Sequence, residues 1–297
     1  MTLFRMLDAF LGWFGYSPAV LLNITAPRWG YRIERAIPYG PEPRHRMDLY
    51  LPKRKTESAP AVLFFYGGAF ISGHRCEYRF VGQALASQGI IVGIADYGLF
   101  PDHRFPDFVE DGAKAAAFLH KTLPNYGGDP KRLFTAGHSA GAYIAVMLAS
   151  NPEYLKGAGS DISCLAGAIG IAGPYDFLPI TNPTRIEIFG GADRLETQPI
   201  HFIDGKRPPM LLLTGDGDVN ILPRNTESMA ARLREHGSNV EAIVYPGIEH
   251  FRIILGLAPL FRRMIPIRAD IVRFISAARA PSTPGVRPRQ AIPASPT

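Results

Sequence analysis

Several absences narrow this 297-residue chain before any motif is read. It has two cysteines, Cys76 and Cys164, far apart and without a CxxC pair. Neither a disulfide framework nor a cysteine-rich zinc site is therefore expected, and two reduced, packed thiols are. Charged residues are few at 20%, against 46% apolar, a balance that excludes mainly disordered, collagen-like and coiled-coil chains. The net charge of +6 is not gathered into a face. Its densest stretch is Arg252, Arg262, Arg263, Arg268 and Arg273, with no zinc-finger or RNA-binding motif beside it, so no nucleic-acid partner is expected.

Long apolar runs are also missing. Residues 3–22 are apolar overall, but Arg5, Asp8, Gly12, Gly15 and Pro18 interrupt them, and spanning a bilayer takes about 20 uninterrupted residues. Asp8, Trp13 and Phe14 spoil the order of a secretory signal. Residues 1–30 are read as an apolar helical segment that packs on the body or makes peripheral contact with a membrane. The expected location is cytoplasmic, with export or membrane association as the alternative.

What remains is a regular alternation. Strand candidates Tyr31–Ile37 and Arg46–Tyr50 flank the turn-rich YGPEPRH and read as a hairpin. Strands follow at Ala61–Tyr66, Ile90–Tyr97, Arg132–Ala136, Ala166–Gly173, Met210–Gly215 and Val240–Tyr245, with helices near Tyr78–Ser87, Asp107–Thr122, Ala140–Ala149, Thr226–Glu235 and Leu260–Ala278. Continuous apolar strands that alternate with helices require a parallel sheet covered on both faces. The fold class is α/β: two antiparallel strands followed by six parallel ones, an eight-stranded, mostly parallel sheet. Residues 31–279 form one domain. Residues 174–208 break the alternation and read as a small lid, and the five prolines of residues 280–297 mark a disordered tail.

The pentapeptide Gly137-His138-Ser139-Ala140-Gly141 lies between a strand and a helix. A serine on such a sharp turn projects above the sheet, and flanking glycines let strand and helix approach. A serine becomes nucleophilic only beside a base that is itself oriented. After MLLLTG comes Asp216-Gly217-Asp218, and after VEAIVY comes Pro246-Gly247-Ile248-Glu249-His250. Both loops leave strand ends, on the rim where Ser139 emerges. Asp218 is the chosen acid, because Asp216 sits close enough to the strand end to bond turn N–H groups. His250 is the chosen base; the other seven histidines lack its position and chain order. Tyr66-Gly67-Gly68-Ala69-Phe70 follows an apolar strand, and the N–H groups of Gly68, Ala69 and Ala140 are candidates for an oxyanion hole. Each such donor is worth roughly 3–4 kcal/mol of barrier height.

Taken together, YGGAF, Asp96–Gly112, Tyr126–Gly141, GPYDF, GDGDVNILP and PGIEH resemble the α/β-hydrolase carboxylesterases and lipases, close to the hormone-sensitive-lipase-like and small feruloyl-esterase-like (BD-FAE-like) branches. The resemblance covers about residues 30–278. It implies an α/β-hydrolase fold and a serine esterase with Ser139, Asp218 and His250 as triad. Hormone-sensitive-lipase relatives usually begin the oxyanion motif with His and carry three glycines, where this chain has Tyr66 and Ala69; a tyrosine can hold the loop through its hydroxyl. No metal or cofactor is expected. The partner is a small-molecule ester of short to medium acyl chain, and a homodimer stays open. Pocket candidates are Tyr66, Phe70, His138, Phe177 and Phe189, although the side chain of His138 is expected to point away from the serine. An arylformamidase-type hydrolase with the same triad, or a non-catalytic binding protein on this fold, are the alternatives.

Overall fold

The computed structural model describes residues 19–54 and 58–278. The apolar segment through residue 18 and the Pro-rich tail from 280 lie outside them.

Among the described residues an eight-stranded sheet runs in the order β1-β2-β4-β3-β5-β6-β7-β8. The strands are β1 (Tyr31–Pro38), β2 (Arg46–Pro52), β3 (Ala59–Phe65), β4 (Ile91–Ala95), β5 (Gly128–His138), β6 (Leu165–Ile171), β7 (Met210–Gly215) and β8 (Val240–Tyr245). Every residue of β4 and β7 is buried, and so is nearly all of β3 and β6. This is the burial that apolar runs without alternation predict for strands covered on both faces. Strands β1 and β8 are the edges and stay partly exposed.

β2 pairs antiparallel with both β1 and β4, and every other pairing is parallel. The hairpin is therefore present, but only β2 runs against the sheet. β1 reverses direction once more and ends up parallel to the central six.

The helices are α1 (Ala19–Thr25), α2 (Arg79–Ala86), α3 (Asp107–Thr122), α4 (Ala140–Ser150), α5 (Pro152–Gly157), α6 (Pro183–Phe189), α7 (Arg224–Glu235), α8 (His250–Leu255) and α9 (Ile267–Ala277). All eleven residues of α4 are buried, as a small-residue helix must be when it lies against the sheet centre. The final helix starts at Ile267 rather than near Leu260. Pro266, which has no N–H to donate, stands at its N-cap, and residues just before it form turns. The short α8, which begins at His250, takes up part of the preceding chain. Cys164 is buried but Cys76 is exposed, so only one of the two thiols is packed.

Residues 174–208 contain α6, capped at Asn182, whose side chain accepts the Arg185 N–H at 3.1 Å. The stretch is tied to the body by polar contacts. The Tyr143 hydroxyl of α4 donates to the Thr197 carbonyl at 2.6 Å and the Phe105 N–H to the Ile188 carbonyl at 2.9 Å; within the stretch, the buried Gln198 side chain accepts the Phe177 N–H at 2.8 Å.

Candidate active site

The turn from β5 into α4 puts Ser139 at φ 54°, ψ −120°, a region that costs a non-glycine residue on the order of 1–3 kcal/mol. Its surroundings hold it there. The Ser139 N–H donates to the Ile171 carbonyl at 2.9 Å, and the turn is compressed between β3 and α4. A Cβ on Gly141 would stand 2.0 Å from the Phe65 carbonyl oxygen, and one on Gly137 would stand 2.2 Å from the Gly141 backbone. Only hydrogen fits at either position.

His250 reaches this serine from the far end of β8. Its Nε2 lies 2.9 Å from Ser139 Oγ and its Nδ1 lies 2.7 Å from Asp218 Oδ2. A carboxylate can only accept, so Nδ1 carries the proton and Nε2 is left with a lone pair facing the hydroxyl. The other carboxylate oxygen of Asp218 accepts the N–H groups of Asn220 and Ile221, both at 2.9 Å. Asp218 and His250 are 2% and 5% exposed, so this chain of hydrogen bonds is shielded from water. Asp216 is exposed and instead accepts the Gly247 N–H across the neighbouring turn at 2.5 Å.

The loop after β3 presents backbone donors. Gly68 has φ +144°, and a Cβ there would meet the Ser72 carbonyl oxygen at 2.0 Å; Ala69 and Phe70 follow at φ 53° and 65°. The Gly68 carbonyl accepts from the Ile71 and Ser72 N–H groups. Because a peptide's C=O and N–H point opposite ways, this turns the Ala69 N–H outward. Among the described residues neither the Gly68 nor the Ala69 N–H has an acceptor. Ala140 opens α4, where the first N–H groups lack intrahelical partners.

Both ends of this loop are clamped: Tyr66 holds it through its hydroxyl, as its sequence position suggested, together with Arg44 and Arg75, which sequence reasoning missed. Arg44 donates through Nη2 to the Tyr66 hydroxyl at 2.7 Å and the Gly73 carbonyl at 3.0 Å, and through Nε to the Tyr97 carbonyl at 2.7 Å. The Tyr66 hydroxyl donates to Asp96 at 2.9 Å, and the Tyr97 hydroxyl returns a bond to the Tyr66 carbonyl at 2.7 Å. Arg75 pairs with both Asp96 and Asp48. Burial pushes the Tyr66 phenol well above its usual range, so its proton stays on as a donor.

This placement corrects the pocket candidates. Tyr66 is fully buried behind the loop and does not line the cavity. Nor does His138, which is 2% exposed. Its Nε2 lies 3.1 Å from the His250 carbonyl and its ring lies 5.0 Å from that of His250. Burial, with the His250 ring adding to it, lowers its pKa to about 3, so a neutral His138 holds the backbone of the base.

The cavity itself has a volume of about 330 Å³, and Ala69, Phe70, Ser139, Ala140, Phe177 and Phe189 are among its lining residues. Phe70 and Phe189 meet edge to face at 5.5 Å, and Phe177 and Phe189 at 5.3 Å between centroids. Tyr143 supports Phe70 from behind at 5.6 Å. Among the described residues no group of three His, Cys, Asp or Glu could hold a metal ion, and no helix is long and apolar enough to cross a membrane.

Comparison with known proteins places the chain in a family. The BD-FAE family profile matches residues 47–233, a span that contains Ser139 and Asp218. Isoprenylcysteine alpha-carbonyl methylesterase ICME of Arabidopsis thaliana is 30% identical over 246 residues, 75% of this chain and 58% of the relative. Esterase LipC of Mycobacterium tuberculosis is 30% identical over 256 residues, 79% and 63% respectively. The chain thus spans about three-fifths of these relatives' lengths. Among solved structures, Esterase B from Lactobacillus rhamnosis superposes with TM-score 0.75 at 18% identity, covering 92% of this chain and 94% of that one. An esterase of Thermogutta terrifontis gives 0.67 at 21%, covering 84% and 96%. At those identities the structural likeness is one of fold. The profile match over more than half of the sequence settles the membership: this chain belongs to the BD-FAE family of α/β-hydrolase-fold esterases.

Proposed function

We propose that the protein is a serine carboxylesterase that hydrolyses short- to medium-chain carboxylic esters through an acyl-enzyme. The observation that carries this reading is the unbroken relay Asp218–His250–Ser139, at 2.7 and 2.9 Å, opening onto a cavity whose lining includes Phe70, Phe177 and Phe189. Ser139 Oγ attacks the ester carbonyl carbon as its proton passes to His250 Nε2. The resulting oxyanion accepts from the N–H groups of Gly68, Ala69 and Ala140. Collapse breaks the bond to the alcohol oxygen, which leaves with the proton from His250. A water molecule then gives a proton to His250 and attacks the acyl carbon; His250 returns that proton to Ser139 Oγ as the acyl–oxygen bond breaks and the acid departs. Asp218 stays ionised, fixes the imidazole tautomer and stabilises the transient imidazolium.

Support for a modest substrate comes from the cavity volume, which lies at the low end for small-molecule pockets, and from the Phe70, Phe177 and Phe189 rings that close it. The names of the two relatives, a methylesterase and an esterase, support ester hydrolysis but carry no chain length.

The test is covalent labelling with a fluorophosphonate, wild type beside Ser139→Ala, followed by a panel of nitrophenyl esters from acetate to decanoate and an aryl formamide. Labelling lost in the variant, with ester turnover falling beyond about eight carbons, is expected. Faster formamide than ester turnover would move the assignment to the amidase type, and an unlabelled wild type would leave a binding protein.

A further inference from the structure

The charge that lines the cavity is of one sign. Arg185 and Arg224 are the side chains there that ionise at neutral pH, and no Asp or Glu lines it. Arg185 sits in the first turn of α6, placed by the Asn182 cap. Arg224 opens α7, on the loop that leaves Asp218. Two segments distant in sequence thus each bring an exposed arginine to the rim of the cavity that holds Ser139.

Nearby arginines of the same two segments differ in whether an acid answers them. The insert's other arginines are compensated, Arg194 by Glu196 at 2.8 Å and Arg207 by Asp204, and in α7 Arg232 pairs with Glu235 at 3.0 Å. Among the described residues neither Arg185 nor Arg224 makes an ion pair or a side-chain hydrogen bond. Asp218, the acid of the relay, is fully engaged by His250 and two backbone N–H groups. Asn220 also lines the cavity, and its side-chain amide is likewise unbonded.

A guanidinium presents N–H groups in a fork that matches a carboxylate, and such charge-assisted bonds are stronger than neutral ones. Apolar walls beside it raise its electrostatic pull, whereas solvent at the rim weakens it. We propose that the cavity takes esters that carry a carboxylate remote from the scissile bond, with Arg185 and Arg224 as its binding subsite. This rests on the esterase reading and specifies its substrate class: the aromatic rings hold the apolar stem, and the two arginines hold the charged end.

The test compares matched ester pairs. One pair varies the acyl part, mono-4-nitrophenyl adipate against 4-nitrophenyl hexanoate; the other varies the alcohol part, 4-carboxyphenyl butyrate against 4-carbamoylphenyl butyrate. For each pair the ratio of kcat/KM, charged over neutral, is measured in wild type and in the Arg185→Gln/Arg224→Gln double variant. Working with a ratio inside one protein cancels any loss of folded enzyme. In at least one pair the ratio is expected to fall about tenfold in the double variant, mainly through KM. The wild-type preference should also shrink as NaCl rises from about 0.05 to 0.5 M, because exposed charges are screened. Ratios that are unchanged by the double substitution in both pairs overturn the subsite. If no ester is turned over in a Ser139-dependent way, the esterase reading itself has failed, an outcome distinct from equal ratios with normal turnover.

Discussion

Two walls of the same cavity are built differently. The wall carrying the nucleophile and the outward N–H groups rests on β3, β5 and the wholly buried α4, and it is over-determined. Glycine contacts with no room for a Cβ, a turn locked by backbone bonds and the Arg44–Tyr66–Asp96 network all fix it. The opposite wall, from residues 174–208 and the start of α7, is joined to the body by bonds such as Tyr143 to Thr197, Phe105 to Ile188 and Arg207 to Ser150 and by buried side chains such as Tyr175 and Ile188. Gln198 to Phe177 and Asn225 to the Tyr175 and Asp176 N–H groups hold it together from within. The difference assigns labour. Bond-making geometry is invested in the interior of the fold, where backbone strain can be held. Selectivity is left to a peripheral segment whose residues can change without disturbing the sheet.

That contrast can be broken or sharpened by substitution. The largest effect is expected at Ser139→Ala, which should lower kcat on the order of 10⁴–10⁶-fold with little change in melting temperature, read by ester turnover and calorimetry. Next comes Arg44→Met, which touches no substrate. Loosening both ends of the oxyanion loop should lower kcat roughly 10–100-fold while KM moves far less, with partial recovery in Arg44→Lys. A change confined to KM would show that the loop holds itself. Smaller again is Phe189→Ala on the opposite wall. Opening the aromatic floor should shift the best acyl length upward by a few carbons and change kcat/KM about three- to tenfold, while fluorophosphonate labelling of Ser139 persists.

The smallest effect is on stability. His138 has a folded pKa of about 3 against an ordinary 6.5. Between those values the unfolded chain binds a proton that the folded chain refuses, so stability rises with pH across that window and is fully present above 6.5. His138→Gln should flatten melting temperature against pH between about 4 and 6.5 by up to one proton's slope, roughly 1.4 kcal/mol per pH unit. Identical slopes in the two proteins would remove His138 from the acid response.

Much of the first wall could be read in the sequence, because each of its groups follows an apolar strand and so carries a local signature: GHSAG after β5, the Asp-Gly-Asp loop after β7, His250 after β8 and the glycine pair after β3. The structure brings Ser139, Asp218 and His250 within hydrogen-bond distance. Arg44 had no such signature, for it sits in a turn and acts on Tyr66 and Gly73 across the sheet. His138 and Tyr66 were misread as pocket residues because adjacency in sequence says nothing about which side of a tight turn a ring takes. The short helix at His250 was hidden for a similar reason: six residues carry too little periodicity to separate it from a loop. Arg185 and Arg224 look like any surface arginines until the fold places them over one cavity.

The position of Arg44 has a practical corollary for protein engineering. It lies three residues before the span matched by the family profile, in the turn that joins β1 to β2. A chain shortened at its front to that span would keep the nucleophile, acid, base and parallel core. Without Arg44 the loop after β3 would lose its tie at Tyr66 and Gly73, and under the proposed mechanism such a chain would turn over slowly.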